Sequence, residues 1–448
     1  MIMAYKIIDD DVRISILQGF REIGGNCVVV EDEDTVVFDQ GIRFSRLKKL
    51  YRQPIEPTGI SELREEKVIP DLTGYEDASI FISHFHFDHL GLLWNVPPKS
   101  KIYVPEANLL KTVIAWYKDI GNWLSFIEPR FDSEVVQVYP NSRVGKVTPL
   151  NARHSSYPSY SYLYHGKNAT ILYTGDLRLD SLLKAVYPSL DEKVYKNSID
   201  EYFEESGERV DILIVEGTNF SRGVTPLDSH MIVGKLQEVF EACDGAIFVS
   251  VDKTDLDSFA AFALLAKEYG RNPLILTSKL AESVHALGIE NMIGVKIFQV
   301  EDVPKPIFPV ELKEEALNHP KDYLFFSTPK EIVNTLRALP KSSRENIVGG
   351  TVISMLSEEP EEGSEESISD VWIRKLGLSM LKLRMSGHYY PYQLDKILDT
   401  IKPKTIIPVH TEVPETVCKI ASKHGIKCAL GRQDFTSASS SSEQENSV

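Results

Sequence analysis

The sequence predicts an α/β protein of two or three domains, on three observations. Its 448 residues exceed a single domain of roughly 150 residues and suffice for a sizeable core. The first half carries a series of short β-branched and aromatic runs. From about Asp211 the texture changes to strands alternating with helices, the pattern of a mainly parallel sheet.

The early strand-like runs are Cys27 to Val30, Thr35 to Asp39, Ser79 to Ile82, Lys101 to Val104 and Ala169 to Tyr173, each bounded by Gly, Asp or Pro. The alternating part opens with strand Asp211 to Val215, helix Asp228 to Ala242, strand Ala246 to Val251, helix Asp255 to Tyr269 and strand Pro273 to Thr277. It continues through strands Val295 to Val300 and Tyr323 to Ser327 and helix Pro329 to Leu339. Two further strands follow, Met380 to Met385 and Thr405 to Val409. Each precedes a helix that opens near a proline, Pro391 or Pro414, because proline fits a first helical turn. Ser357 to Asp370 holds six Glu and one Asp without a base, a self-repelling composition that predicts a solvated loop. The Ser-rich tail from Thr436 is expected to be disordered.

Hydrophobic residues make up 42% and charged residues 25%, and no apolar run approaches the roughly 20 residues of a membrane span. A membrane-spanning, fibrous or wholly disordered chain is excluded. With 49 basic against 65 acidic residues the net charge is −16, so any nucleic acid must be met by a local basic surface. The start shows no secretory pattern, and four cysteines occur without a CxxC, which predicts a cytoplasmic protein with reduced thiols. Cys27, Cys243, Cys418 and Cys428 are read as buried structural cysteines.

The most informative stretch is Phe81 to Leu92, FISHFHFDHLGL, which crowds His84, His86, Asp88 and His89 directly after a strand. Alternation places His84 and His86 on one side of the chain, and the turn into Gly91 can swing Asp88 and His89 to a second point. Imidazoles with a carboxylate suit two adjacent zinc sites. With 11 histidines in the chain, a chance surface cluster is a poor account of this run.

This segment resembles the HxHxDH signature of the metallo-β-lactamase fold. His154 in ARHSSYPSY and Asp176 in ILYTGDLRLD match the family's next two motifs in order. The resemblance implies that His84, His86 and His154 hold one zinc, that Asp88, His89 and a late histidine hold the other, and that Asp176 bridges them. The late candidates, His388 and His410, lie more than 200 residues further on, which implies an insertion. The α/β stretch in that gap resembles the β-CASP domain of nucleic-acid-processing members. Glu216 in LIVEGTNF, His388 in MSGHYY and His410 in IIPVHTE match its three motifs, and the histidine at the third favours RNA over DNA. Together with EIGGN at Glu22 to Asn26, TGD, EGTN, SGH and PVHTE, the pattern is most similar to the ribonuclease J family.

The implied architecture is a metallo-β-lactamase αββα sandwich with an inserted α/β β-CASP domain. Its expected parts are 1–216 and 381–430 for the sandwich, 217–380 for the insertion and 431–448 for the tail. The implied function is a zinc-dependent ribonuclease that hydrolyses phosphodiester bonds of single-stranded RNA, internally or from the 5′ end, with two Zn2+ ions or Mn2+ in their place. A homodimer is allowed, and no membrane partner is expected. The alternatives are a hydrolase of a small ester, lactone or phosphodiester and a non-catalytic RNA-binding subunit. The family's GHAS is replaced here by His388 followed by Tyr389, Tyr390 and Pro391, and its Asn-x-His-Arg stretch by Asp252 to Asp255, DKTD. The phosphate grip there would then fall to Lys253, to a helix N-terminus, or to nothing at all.

Two zinc ions would polarise the phosphate and activate water. His388, as a histidine with an ordinary pKa near roughly 6.5, suits proton donation to the leaving 3′ oxygen, with Glu216 to orient it. Asp88 is counted both as a metal ligand and, with these two, as a catalytic candidate. Thr218 and Asn219 read as turn formers. Candidate RNA contacts are Arg43, Arg46, Lys48, Lys49 and Arg52 around Tyr51, then Arg374, Lys375, Lys382 and Arg384, with Tyr389, Tyr390 and Tyr392 as stacking platforms or core. His165, His230, His285, His319 and His424 are assigned to packing or surface.

Overall fold

The computed structural model describes residues 5–9, 12–51, 55–121, 133–221, 227–289, 293, 315–355 and 365–430. Seven strands form a first sheet in chain order: β1 (Tyr5–Asp9), β2 (Val12–Gln18), β3 (Cys27–Glu31), β4 (Thr35–Phe38), β5 (Ser79–Phe81), β6 (Lys101–Val104) and β7 (Glu134–Gln137). Neighbours are antiparallel up to β4 and parallel from β4 to β7. A second sheet begins with β8 (Val147–Ala152), β9 (Ser159–His165), β10 (Thr170–Tyr173) and β11 (Ile212–Glu216). The chain then builds a third, wholly parallel sheet from β12 (Ile247–Ser250), β13 (Asn272–Ile275), β14 (Tyr323–Phe326), β15 (Thr351–Met355) and β16 (Ser379–Leu383), in the order β13-β14-β12-β15-β16. It returns with β17 (Thr405–Val409) and β18 (Lys427–Cys428), which complete the second sheet as β18-β17-β11-β10-β9-β8.

Side-chain alternation explains the layers. In β3, Val28 and Val30 enter a core shared with the second sheet, whereas Cys27 and Val29 face helices on the outer side. In β11, Ile212 and Ile214 enter that shared core, and Leu213 and Val215 face the opposite way. Phe38, Phe81, Tyr162 and Tyr173 fill its centre, with the Phe38 and Tyr173 rings stacked at 5.1 Å. Helices Ile60–Glu65 and Ala107–Ala115 cover the outer face of the first sheet. Helices Ile199–Ser206, Leu394–Ile401 and Pro414–Lys423 cover that of the second. The result is an αββα sandwich. The third sheet is covered on both faces: Ile247, Val249, Leu324 and Phe326 lie in one core, Phe248 and Phe325 in another. Leu182 and Leu183, from a helix that precedes β11, also pack into the first of these cores against helix Leu256–Glu268.

Several expectations are corrected. Residues 365–370 of the acidic stretch open the helix Glu365–Lys375 rather than a loop, since acidic side chains favour a helix N-terminal turn and Ile373 is buried. β15 was not anticipated. Cys418 and Cys428 are not reduced: they form a disulfide, because helix Pro414–Lys423 folds back on β18 and brings their Cα atoms to 5.4 Å. Both are half-buried, Cys27 is buried and free, and Cys243 is half-buried and free. The expected strand at 295–300, the part of the loop at 357–364, Arg52 and the tail lie outside the described residues. Among the described residues no helix is long and apolar enough to cross a membrane.

Candidate metal centre

The parallel strands β4, β5, β10, β11 and β17 all end at one edge of the sandwich, the usual place for a site in such sheets. Glu216, the last residue of β11, pairs with Val409, so His410 emerges beside it. The short helix Phe87–Leu90 after β5 carries Asp88 and His89. Gly41 lies so close that a Cβ there would be 1.7 Å from the Asp88 carbonyl oxygen.

Ligand-type atoms converge in two trios, His84, His86 and His154 on one side and Asp88, His89 and His410 on the other. His154 Nε2 is 3.1 Å from His86 Nδ1, and His410 Nε2 is 3.4 Å from Asp88 Oδ2. Asp176 lies between them: its Oδ2 is 3.1 Å from His89 Nε2, 3.7 Å from His154 Nε2 and 3.9 Å from His84 Nε2. Its Oδ1 is 3.7 Å from His410 Nδ1. His388 Nδ1 is 3.0 Å from Glu216 Oε1 and 3.8 Å from Asp176 Oδ2. Asp176, Glu216, His388 and His410 form a further group with ligand spacing.

The hydrogen-bond network fixes the imidazole tautomers. Ser83 Oγ donates to Asp39 Oδ2 and so accepts from His84 Nδ1 at 3.0 Å. His89 Nδ1 donates to Asp39 Oδ2 at 2.7 Å, and His154 Nδ1 donates to the Gly387 carbonyl at 2.6 Å. His410 Nδ1 bonds Thr218 Oγ1 at 2.6 Å. His84 and His154 thereby turn Nε2 lone pairs inward, while His89 and His410 aim Nε2 at Asp176 and Asp88. His86 is reversed: Thr254 Oγ1 donates to Asp252, accepts from His86 Nε2 at 3.4 Å, and leaves Nδ1 facing His154.

The donors fit divalent cations. His84 Nε2, His89 Nε2 and Asp176 Oδ1 are buried without a hydrogen-bond partner, each a loss of about 1–3 kcal/mol unless something else binds there. Their spacing suits a tetrahedral ion with nitrogen ligands at about 2.0–2.1 Å. Imidazole and carboxylate donors without thiolate suit zinc, and carboxylate also suits manganese. Burial and the neighbouring imidazoles push His84 well below the usual histidine range, and burial does the same to His154. His89 shifts the other way: despite burial, Asp176 and Asp39 hold it well above that range. Burial opposes ionisation of Asp88 and Asp176. The His410 hydrogen bond and charge outweigh it at Asp88, and the charges of His410, His89 and His388 outweigh it at Asp176, so both carboxyls lie well below their usual values.

All eight motif residues named from the sequence, together with Glu216, meet at this point. Asp39, Thr254 and the Gly387 carbonyl went unnoticed. Asp39 holds Ser83 and His89 and accepts from Tyr173 at 2.6 Å, but a strand-end aspartate carries no sequence signal. Thr218 and Asn219 are more than turn formers: Asn219 Nδ2 donates to Ser386 Oγ and to the His388 and Tyr389 carbonyls. Tyr389 and Tyr390 are core residues whose hydroxyls bond the Glu216 and Leu227 carbonyls, whereas Tyr392 is exposed. Within the first basic cluster Arg43 pairs with Glu22 and Arg46 with Glu66, and Tyr51 donates to Glu62. Lys375 lies over Trp372, and Lys382 pairs with Asp370. Lys253 lies 4.6 Å over the Trp116 ring. The five histidines assigned to packing or surface lie outside the cluster; His165 pairs with Glu208 and His424 with Asp395.

No family model matches the chain. It is 23% identical to ribonuclease J of Mycolicibacterium smegmatis over 419 residues, 89% of this chain and 68% of that one. It is 22% identical to ribonuclease J of Mycoplasma genitalium over 438 residues, 93% and 71%, and 24% identical to that of Thermus thermophilus over 426 residues, 90% and 69%. Among solved structures, a protein of unknown function from Enterococcus faecalis V583 superposes with a TM-score of 0.66 at 20% identity, covering 92% of this chain and 96% of that one. That likeness bears on the fold. The sequence likeness, running through both the sandwich and the third sheet, makes this a ribonuclease J-like protein of the metallo-β-lactamase and β-CASP kind.

Proposed function

We propose that the chain is a zinc-dependent ribonuclease acting on single-stranded RNA, with the third-sheet unit, residues 217–380, as its β-CASP insertion. The observation that carries this is the pair of ligand trios on either side of Asp176, in which His84 Nε2, His89 Nε2 and Asp176 Oδ1 are buried without a hydrogen-bond partner. The likeness to ribonuclease J supports the substrate class. His84, His86 and His154 would hold one ion, Asp88, His89 and His410 the other, with Asp176 between. Bound zinc supplies Lewis acidity and lowers the pKa of water towards neutrality.

The chain's own groups supply the rest. His388 donates Nδ1–H to Glu216, which orients the ring, so its proton exchange with the leaving 3′ oxygen occurs at Nε2. Glu216 is itself held by the Thr218 backbone N–H at 2.9 Å. Beside His86 and Gly387 opens a cleft of about 670 Å³ along the carboxyl ends of the third sheet. Ser250, Ser278, Thr328 and Ser354 line it with Lys279 and Lys330 and with the carboxyls of Asp252, Asp255 and Glu331, so that hydroxyls and the two lysines are the groups that would meet a sugar-phosphate backbone.

The test is metal-analysed protein incubated with 5′-labelled RNA bearing a monophosphate or triphosphate, and with matching DNA. Metal-dependent cleavage of RNA that is lost in His388→Ala supports the reading. Intact RNA after incubation with zinc-loaded protein overturns it and favours a small ester, lactone or phosphodiester as substrate.

A further inference from the structure

The two ligand trios are held from different parts of the molecule. His89 and His84 are anchored through Asp39 and Ser83 on the sandwich, and His410 through Thr218, in the segment that leaves β11. The anchor of His86 comes from the third-sheet unit, and that of His154 from the segment that returns from β16 to the sandwich. Thr254 lies on the loop leaving β12, and Gly387 follows β16. Thr254 is 2% exposed, and Asp252 fixes its hydroxyl by accepting from both its Oγ1 at 2.7 Å and its backbone N at 2.8 Å. The Gly387 carbonyl bonds His154 Nδ1 so closely that a Cβ on Gly387 would stand 3.0 Å from His154 Cε1.

We infer that the metal pair is asymmetric: the ion held by His84, His86 and His154 is assembled by docking of the third-sheet unit, and the ion held by Asp88, His89 and His410 is not. Thr254 is the positioning residue that makes this coupling. Its lone pair keeps the proton on His86 Nε2 and leaves Nδ1 as the donor; without it the ring is free to take the other tautomer and to rotate. The docking itself is fastened by buried ion pairs. Arg178, two residues beyond Asp176, reaches Asp257 at 2.7 Å and Asp255 at 3.5 Å on the same loop and helix that carry Thr254. The Tyr157 backbone N, three residues beyond His154, donates to the Thr254 carbonyl at 3.0 Å. Movement of the third sheet away from the sandwich would therefore release His86 from Thr254 and leave the Asp39 anchor of the other trio intact.

The inference rests on the reading of this site as a two-metal centre. Apo full-length protein is titrated with zinc chloride against a chromophoric chelator, which gives two dissociation constants. Thr254→Val is expected to weaken one ion by roughly 10–100-fold and to leave the other unchanged. Thr254→Ser, which keeps the hydroxyl, should restore the parental affinities. In a His154→Ala background, where the same ion has already lost a ligand, Thr254→Val should add nothing. Equal weakening of both ions, no weakening, or failure of the serine variant to restore binding would overturn the partition. A parent chain that binds two ions but cuts no RNA would sink the ribonuclease reading and leave the partition standing. Unaltered zinc affinities in Thr254→Val of a chain that does cut RNA would do the reverse.

Discussion

His388 and Asp176 approach to 3.8 Å, and single substitutions separate the roles proposed for them. His388→Ala is expected to retain both ions and to lose about 10²- to 10⁴-fold in RNA turnover, because it removes a proton donor. Zinc analysis alongside the cleavage assay checks this, and a fall in metal content would make His388 a ligand. Asp176→Ala should lose zinc and activity together; unchanged stoichiometry would contradict its central position. The cluster was legible because four of its residues occupy six consecutive positions after a strand. Their anchors were not. Thr254 sits 168 residues from His86 in an ordinary DKTD turn, and only the third dimension makes it a partner.

At the level of elements, the long periodic segments were readable and the short ones were not. Helices Ser229–Ala242 and Leu256–Glu268 fall within a residue of their expected bounds because Asp228 and Asp255 cap them, each accepting from a backbone N–H one turn in. β15, TVISM, escaped notice because its five residues are flanked by glycines and an acidic run, with too little length for alternation to show. Helix Pro329–Ala338 carries a capping box between Thr328 and Glu331, and Thr328→Ala should lower stability by about 1 kcal/mol in denaturant unfolding. The helix that bears Asp257 gives a pH signature. Burial lifts this carboxyl to about 6 against the pull of Arg178, so the folded chain holds its proton more tightly than the unfolded chain. Its stabilising contribution is full below about pH 4 and is lost as pH rises through about 6, amounting to about 3 kcal/mol. Melting curves of the parent and Asp257→Asn from pH 4 to 7 should converge or cross accordingly; parallel pH profiles would refute the assignment.

Across the whole molecule, the αββα layering was accessible through resemblance and not through local pattern, since pairings such as β11 with β17 join residues nearly 200 positions apart. The net charge of −16 also bears on how RNA is held. If Lys279 and Lys330, the lysines that line the cleft among the described residues, are the ones that meet phosphate, affinity of the His388→Ala protein for single-stranded RNA should fall with salt at a log–log slope of about −1.4. A slope several times steeper would place the binding surface elsewhere. The late return of β17 has a consequence for synthesis. Until Thr405 to Val409 leave the ribosome, β11, with the sequence ILIVE, presents an unpaired apolar edge. At roughly 5–20 residues per second that exposure lasts on the order of 10 to 40 s. Throughout it His410 is missing, so the nascent chain spends that interval as a partly open sheet that cannot complete its second trio, and a chaperone that shields strand edges would find its substrate there.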